Sequence, residues 1–172
     1  MGSGKSAVAR RLASEGIALL DTDRIVERTA GRTVREIFAE EGEEGFRARE
    51  EASLAECLAT VEKAVVAAAG GVVTRPANRE LLDKARKAGL AWVVWLRTDP
   101  SELAVRVSRG GHRPLLDDDP AGTLVRLDAE RSPLYRAVAD AVVDTTGRTL
   151  DEVTSDVLGE YSDRHGEWEH NG

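Results

Sequence analysis

The chain has 172 residues, with 24 Lys and Arg against 31 Asp and Glu, and so a net charge of −7. That length suits one domain with a single core, and 41% hydrophobic against 32% charged residues is a globular rather than a disordered composition. The acidic balance argues against generic nucleic-acid binding, which needs a basic footprint, and no apolar run approaches the roughly 18–20 residues that cross a membrane. One cysteine, Cys57, excludes an internal disulfide framework and a multi-cysteine zinc site. With no secretory apolar segment at the start, a reducing cytoplasm is the expected compartment.

In chain order, Gly2-Ser3-Gly4-Lys5-Ser6 followed by Ala7-Val8-Ala9-Arg10-Arg11-Leu12 reads as the second half of a phosphate loop opening a helix. Glycines let backbone N–H groups close on phosphate oxygens, and the helix N-terminus adds partial positive charge. Lys5 is then placed to reach the β- and γ-phosphates, and the Ser6 hydroxyl to ligate Mg²⁺. The full pattern has a first glycine about two residues upstream of Met1, after a buried strand. The expectation is that this N-terminal central strand is missing from the chain.

Ile17-Ala18-Leu19-Leu20, Val65-Val66-Ala67-Ala68, Trp92-Val93-Val94-Trp95-Leu96 and Ala141-Val142-Val143 are short and apolar throughout, which predicts parallel strands buried on both faces. Helix starts are legible between them. Thr33 with Glu36 and Thr149 with Glu152 form capping boxes. Asp99-Pro100-Ser101-Glu102 supplies a cap and a first-turn proline, and Pro76 opens a helix carrying Leu81 and Leu82. This alternation predicts a doubly wound α/β domain with a parallel sheet and flanking helices. Gly110 to Pro120, with Asp117-Asp118-Asp119, breaks both periodicities and is expected to be a mobile surface loop. Ser162 to Gly172 is a polar end.

Leu19-Leu20-Asp21-Thr22-Asp23 places two carboxylates at the end of a strand, where open α/β sheets bind ligands. On an extended backbone the two would share a face. Asp23 has two readings on these residues alone, a cap for the next helix or a ligand to a substrate hydroxyl. Arg47 stands one helical turn from Glu50, a spacing that can aim its guanidinium. Gly70-Gly71 after a strand permits close backbone approach to a ligand, or an ordinary turn. Cys57, Trp92 and Trp95 are expected to pack, the two tryptophans as strand residues. His112 is expected to be solvated in the loop, and Trp168 lies in the polar tail.

Taken in order, these segments resemble the shikimate kinases. The resemblance runs from Met1 to about Leu158 and rests on Gly2 to Ser6, Leu19-Leu20-Asp21-Thr22-Asp23, Ile37-Phe38-Ala39-Glu40-Glu41-Gly42-Glu43, Phe46-Arg47 with Glu50, Gly70-Gly71, Arg113-Pro114-Leu115-Leu116 and Arg131-Ser132-Pro133-Leu134-Tyr135. It implies a P-loop kinase domain over residues 1–161, a lid at about 110–120 and a tail over 162–172. The implied reaction is transfer of the γ-phosphoryl group of ATP, with Mg²⁺, to the 3-hydroxyl of shikimate, on the way to chorismate and the aromatic amino acids. The implied partners are shikimate and ATP, with no nucleic acid and no membrane, and the implied assembly is a monomer.

Carried over residue by residue, the resemblance implies that Lys5, Asp23 and Arg113 are catalytic. Asp23, Arg47, Gly70, Gly71 and Arg131 would bind shikimate, Arg47 and Arg131 by clamping its carboxylate. Gly2, Ser3, Gly4, Lys5, Ser6, Ala7, Arg106, Arg113 and Arg148 would bind ATP, and Ser6 and Asp21 would serve the metal. Besides the strand and first glycine, the chain departs from the family at Ala69-Gly70-Gly71, where three glycines are usual, and at Lys5-Ser6-Ala7, where a second hydroxyl residue is usual. Two alternatives stay open at this point: an impaired relative that binds shikimate or nucleotide, and a P-loop kinase of another hydroxy acid such as gluconate.

Overall fold

The computed structural model describes residues 2–13, 17–60, 63–108 and 119–166. The elements run α1 (Lys5–Leu12), β1 (Ala18–Asp21), α2 (Thr22–Ala30), α3 (Val34–Leu58), β2 (Ala64–Ala67), α4 (Pro76–Lys87), β3 (Val94–Arg97), α5 (Pro100–Ser108), α6 (Pro120–Val138), β4 (Ala141–Asp144) and α7 (Leu150–His165). They pack as two compact units, one built from the residues up to Val8 with those from Val93 onward, the other from Ala9 to Trp92.

In the unit from Ala9 to Trp92, β1 and β2 pair in parallel with Ala18 opposite Ala64 and Asp21 opposite Ala67. Val26 of α2 and Ile37 and Phe46 of α3 form a buried cluster on which Ala30, Val34 and Phe38 pack. Each such side chain contributes roughly 1.5–3 kcal/mol of burial free energy. The α3 helix starts on the capping box expected at Thr33 and Glu36. It breaks at Gly42, whose φ of 69° and ψ of −173° are non-helical, and resumes to carry Phe46, Arg47 and Glu50 inward. Cys57, in its last turn, is 4% exposed, and burial first, then the charges of Glu56 and Asp21, push its thiol pKa upward. Pro76 opens α4 as the sequence implies.

In the other unit, β3 and β4 pair in parallel with Val94 opposite Ala141 and Arg97 opposite Asp144. The register is fixed at both ends. At the entry, Val93 N–H donates to Asp140 Oδ2 at 2.8 Å while Asp140 N–H donates to the Val93 carbonyl at 2.7 Å. At the exit, the buried hydroxyls of Thr98 and Thr145 lie 2.6 Å apart, and Thr145 N–H donates to the Arg97 carbonyl at 2.8 Å. Val107 of α5 and Leu124 of α6 are buried together, and Trp95 stacks on Tyr135 of α6 with centroids 5.4 Å apart. Asp99 accepts from Ser101 N–H at 2.8 Å to start α5, and the capping box at Thr149 and Glu152 starts α7.

Three expectations change. The strands are not uniformly buried: Ala141 and Val143 are 5% and 3% exposed but Val142 is 45%. Neighbouring side chains point to opposite faces, so β4 has one covered face among the described residues. Trp92 precedes β3 instead of lying in it, because pairing begins at Val94. The polar C-terminal end is helical as far as His165, whose ring lies 4.8 Å from that of Tyr161 one turn earlier. Most of the expected loop from Gly110 to Pro120, with His112 and Arg113, falls outside the described residues, as does Trp168.

Candidate active site

The two aspartates after β1 do not share an extended backbone. Asp21 ends the strand and is the N-cap of α2, its Oδ1 accepting from the N–H groups of Asp23 at 3.1 Å and Arg24 at 3.4 Å. The carboxylate starts the helix one residue after itself, so Asp23 sits in the first turn of α2. Of its two sequence readings, the capping role thus belongs to Asp21. Thr22, between them, is 2% exposed, and its Oγ1 accepts from Ala69 N–H at 2.8 Å.

That bond leads into the turn after β2. Val72 N–H donates to the Ala69 carbonyl at 3.1 Å and Thr74 N–H to the Gly71 carbonyl at 2.9 Å. Ala69 is 4% exposed, so the methyl that replaces the usual glycine is accommodated in the interior. Gly71 is where a side chain cannot stand: a Cβ there would come within 1.8 Å of Arg47 Nη1.

Arg47 is buried, its side chain 8% exposed, and every nitrogen of its fork is engaged. Nη1 donates to Glu50, itself 3% exposed, while Nη2 and Nε reach Glu43 Oε1 at 3.0 and 3.3 Å. Burial pulls the guanidinium pKa down, but the hydrogen bonds and charges of Glu50 and then Glu43 outweigh it, so the group is held charged. A buried cation of this kind, fixed beside a glycine turn, is suited to receive a planar carboxylate.

The phosphate-loop half lies with the other unit. Gly4 has φ of +88°, a conformation in which glycine alone is unstrained. Its carbonyl accepts from Ala7 and Val8 N–H groups at 2.9 and 3.0 Å, so α1 begins at Lys5, directly beneath Ser3 and Gly4. Lys5 Nζ is 3.5 Å from Ser6 Oγ. Gly2 packs on α5, where a Cβ would lie 3.3 Å from Leu103 Cδ2 and 3.4 Å from Val107 Cγ2.

The two arginines expected near adenine meet the same turn after β4. Arg106 donates to the Gly2 carbonyl at 3.3 Å and to the Thr145 carbonyl at 2.8 Å, and Glu102 pairs with it one turn back. Arg148 donates to the Asp144 carbonyl at 3.3 Å and pairs with Asp156, which raises its pKa. Arg131 lies on α6, followed by Pro133 within the helix.

Among the described residues no group of three or more His, Cys, Asp or Glu is arranged to hold a metal. The donors expected for Mg²⁺, the Ser6 hydroxyl and the Asp21 carboxylate, are hard oxygens.

Three residues escaped the sequence reading. Glu43 and Glu102 each stand four residues before the arginine they hold, a spacing that the helical i, i+4 rule makes visible. Thr22 carries no comparable signal, since its partner is 47 positions away.

Comparison with known proteins accounts for this set of features. A model of the shikimate kinase family matches residues 1–162. The chain is 44% identical over 168 residues to a shikimate kinase of Symbiobacterium thermophilum, covering 95% of this chain and 93% of the relative. It is 49% identical over 149 residues to one of Halorhodospira halophila, covering 86% and 81% respectively. A solved shikimate kinase of Acinetobacter baumannii in complex with shikimate superimposes with a TM-score of 0.87 at 35% identity, covering 96% of this chain and 90% of that one. The shikimate kinase of Aquifex aeolicus, at 24% identity and a TM-score of 0.78, shares the fold. The architecture is therefore that of a P-loop kinase, with helices flanking a parallel sheet, and the chain belongs to the shikimate kinase family.

Proposed function

We infer that this protein transfers the γ-phosphoryl group of ATP to the 3-hydroxyl of shikimate, releasing ADP and shikimate 3-phosphate. Family membership supports the reaction, and the observation that carries the choice of acceptor is Arg47: a buried guanidinium held by Glu43 and Glu50 against the Gly71 turn. An arginine so held is made for a small carboxylic acid.

Phosphoryl transfer asks the protein for alignment and charge neutralisation more than for covalent chemistry. Asp23 holds the acceptor hydroxyl and takes its proton as the new P–O bond forms. A carboxylate is a weak base beside an alcohol, so the proton moves late, once the hydroxyl oxygen has acquired phosphoester character. The bond from the γ-phosphorus to the bridging oxygen breaks, and its electrons leave with ADP. Lys5 and the amides of Gly2 to Ala7 neutralise and position the phosphates. Arg47, Arg131 and the Gly70–Gly71 backbone hold shikimate, and Arg106 and Arg148 border the adenine.

Ser6 and Asp21 would hold Mg²⁺, which would supply neutralisation of phosphate charge. Arg113 is assigned to the phosphates through its match to the family's Arg-Pro-Leu segment. We place the protein in the cytoplasm as a monomer. Among the described residues no helix is long and apolar enough to cross a membrane, and the net charge of −7 agrees with small anions bound only at local clusters.

The test is release of ADP from Mg-ATP by the purified protein, with and without shikimate, and with gluconate as a second acceptor. Shikimate-dependent turnover is expected. Turnover with gluconate alone would replace the acceptor, and shikimate binding without turnover would make the protein a binding module.

A further inference from the structure

We propose that Thr22 is a positioning residue for shikimate, its hydroxyl bolting the turn that backs Arg47 onto the acidic end of β1. The inference rests on the assignment of shikimate to Asp23, Arg47 and the Gly70–Gly71 turn. Thr22 stands between Asp21, which caps α2, and Asp23, which the reaction uses. Its own side chain turns inward, is 2% exposed, and accepts the Ala69 amide at 2.8 Å across a separation of 47 residues.

Ala69 is the last residue before Gly70, and the turn beyond it is closed by its own bonds from Val72 and Thr74. The Thr22 hydroxyl holds the entry of this turn, and Arg79 holds its far side by donating to the Val73 and Thr74 carbonyls at 2.7 and 3.0 Å. Two residues beyond Ala69, Gly71 sits against the Arg47 guanidinium closely enough that no Cβ fits between them. The Thr22 hydrogen bond thus ties the turn that backs the carboxylate-binding arginine to the strand end that carries the aspartate orienting the acceptor hydroxyl. Threonine suits the task, because its branched Cβ restricts χ1 and holds the oxygen in one direction.

The experiment is steady-state kinetics of the wild type, T22V and T22S with shikimate and ATP varied in turn, alongside thermal melts. Valine keeps the shape and leaves the Ala69 amide buried without its acceptor. T22V should raise the shikimate KM by about five-fold or more, the effect of one lost hydrogen bond, while the ATP KM stays within about two-fold. T22S should stay within about two-fold of wild type for both substrates.

A T22V protein that melts earlier but keeps its shikimate KM has lost only structural support, which overturns the inference. So does T22S impaired as severely as T22V, because the methyl and not the oxygen would then be responsible. A wild type without shikimate-dependent turnover removes the substrate assignment and this inference with it, whereas active wild type with an unaltered T22V removes this inference alone. If T22V does not fold, amide exchange decides. Protection of the Ala69 amide in both wild type and T22S is expected, and exchange at the rate of an open amide in the wild type overturns the proposal.

Discussion

The guanidinium of Arg47 occupies the space where a side chain of residue 71 would stand: a Cβ on Gly71 would lie 1.8 Å from Nη1 and 2.5 Å from Cζ. Ordinarily the free end of an arginine swings aside at little cost. Here it is tethered by Glu43 and Glu50, so either the turn or the ion pairs must give way.

Gly71→Ala should therefore act on shikimate rather than on nucleotide. The expected result is a shikimate KM raised by about ten-fold or more, the scale of one charge-assisted contact, with the ATP KM little changed. Ala69→Gly, at a buried position, should leave both constants within about two-fold and lower the melting temperature slightly. Initial-rate measurements on the two variants side by side check the contrast.

Glu43 is the exposed member of the trio, its side chain 59% accessible, and it shares Nη2 and Nε of Arg47 at 3.0 and 3.3 Å. Those are donors that an incoming carboxylate would claim. Glu43→Gln should weaken that competition while Glu50 still anchors Nη1, lowering the shikimate KM by about two- to five-fold. Glu50→Gln should do the reverse, because it leaves a buried cation short of charge. Isothermal titration with shikimate distinguishes the two directions.

The contrast between Glu50 and Thr22 shows what a sequence can and cannot reveal about this site. Glu50 lies three residues from Arg47 on a helix whose start is announced by Thr33 and Glu36, so local spacing alone brings the two together. The same holds for the caps at Asp99 and Thr149, which depend on neighbours within four residues, whereas the strands show locally only as apolar runs and their pairing partners lie far along the chain. Asp21 and Asp23 were legible as a pair, but not the division of labour between them. That division depends on where the strand stops and the helix begins, which one carboxylate decides by accepting two amides. Thr22 to Ala69, 47 residues apart, and Arg106 to Gly2, 104 apart, exist only after the chain has closed on itself. No local pattern encodes them.

Arg106 joins the carbonyl of Gly2 to that of Thr145, and so couples the phosphate loop to the turn after β4. Arg106→Met should leave both carbonyls without this donor and loosen the loop. We expect the ATP KM to rise by about ten-fold, in line with the roughly 1.5–3 kcal/mol of hydrogen bonds to charged groups, while the shikimate KM at saturating ATP moves little. Glu102→Gln, which removes the charge that pairs with Arg106 and alters the carboxylate that accepts from Gly147 N–H at 2.7 Å, should give a smaller change of the same kind. Nucleotide-dependent initial rates at fixed shikimate provide the check.

The two capping boxes set a dependence on acid. Backbone and then side-chain hydrogen bonds from Thr33 and Thr149 lower the pKa values of Glu36 and Glu152 below the ordinary glutamate value of 4.5. Each carboxylate takes up its proton at lower pH in the folded protein than in the unfolded one. The stability it lends is fully present above the unfolded value and is lost as pH falls through the lowered folded value. Melting temperature should thus decline between about pH 5 and pH 3, and less steeply in the Glu36→Gln, Glu152→Gln double variant. At neutral pH, Thr149→Ala should cost about 1 kcal/mol, or about 2–4 °C in melting temperature.

Cys57 gives the protein a quiet chemical background. The thiol is the only one in the chain, lies 4% exposed in the last turn of α3, and is held in its protonated, unreactive form by burial. Maleimide dyes and spin labels will therefore pass it by in the folded state, and no native thiol need be removed before a new one is added. A cysteine introduced at Leu115 would carry a single reporter into the segment that bears Arg113, with the wild-type scaffold intact. In the intact protein, any response of that segment to nucleotide becomes a one-label measurement.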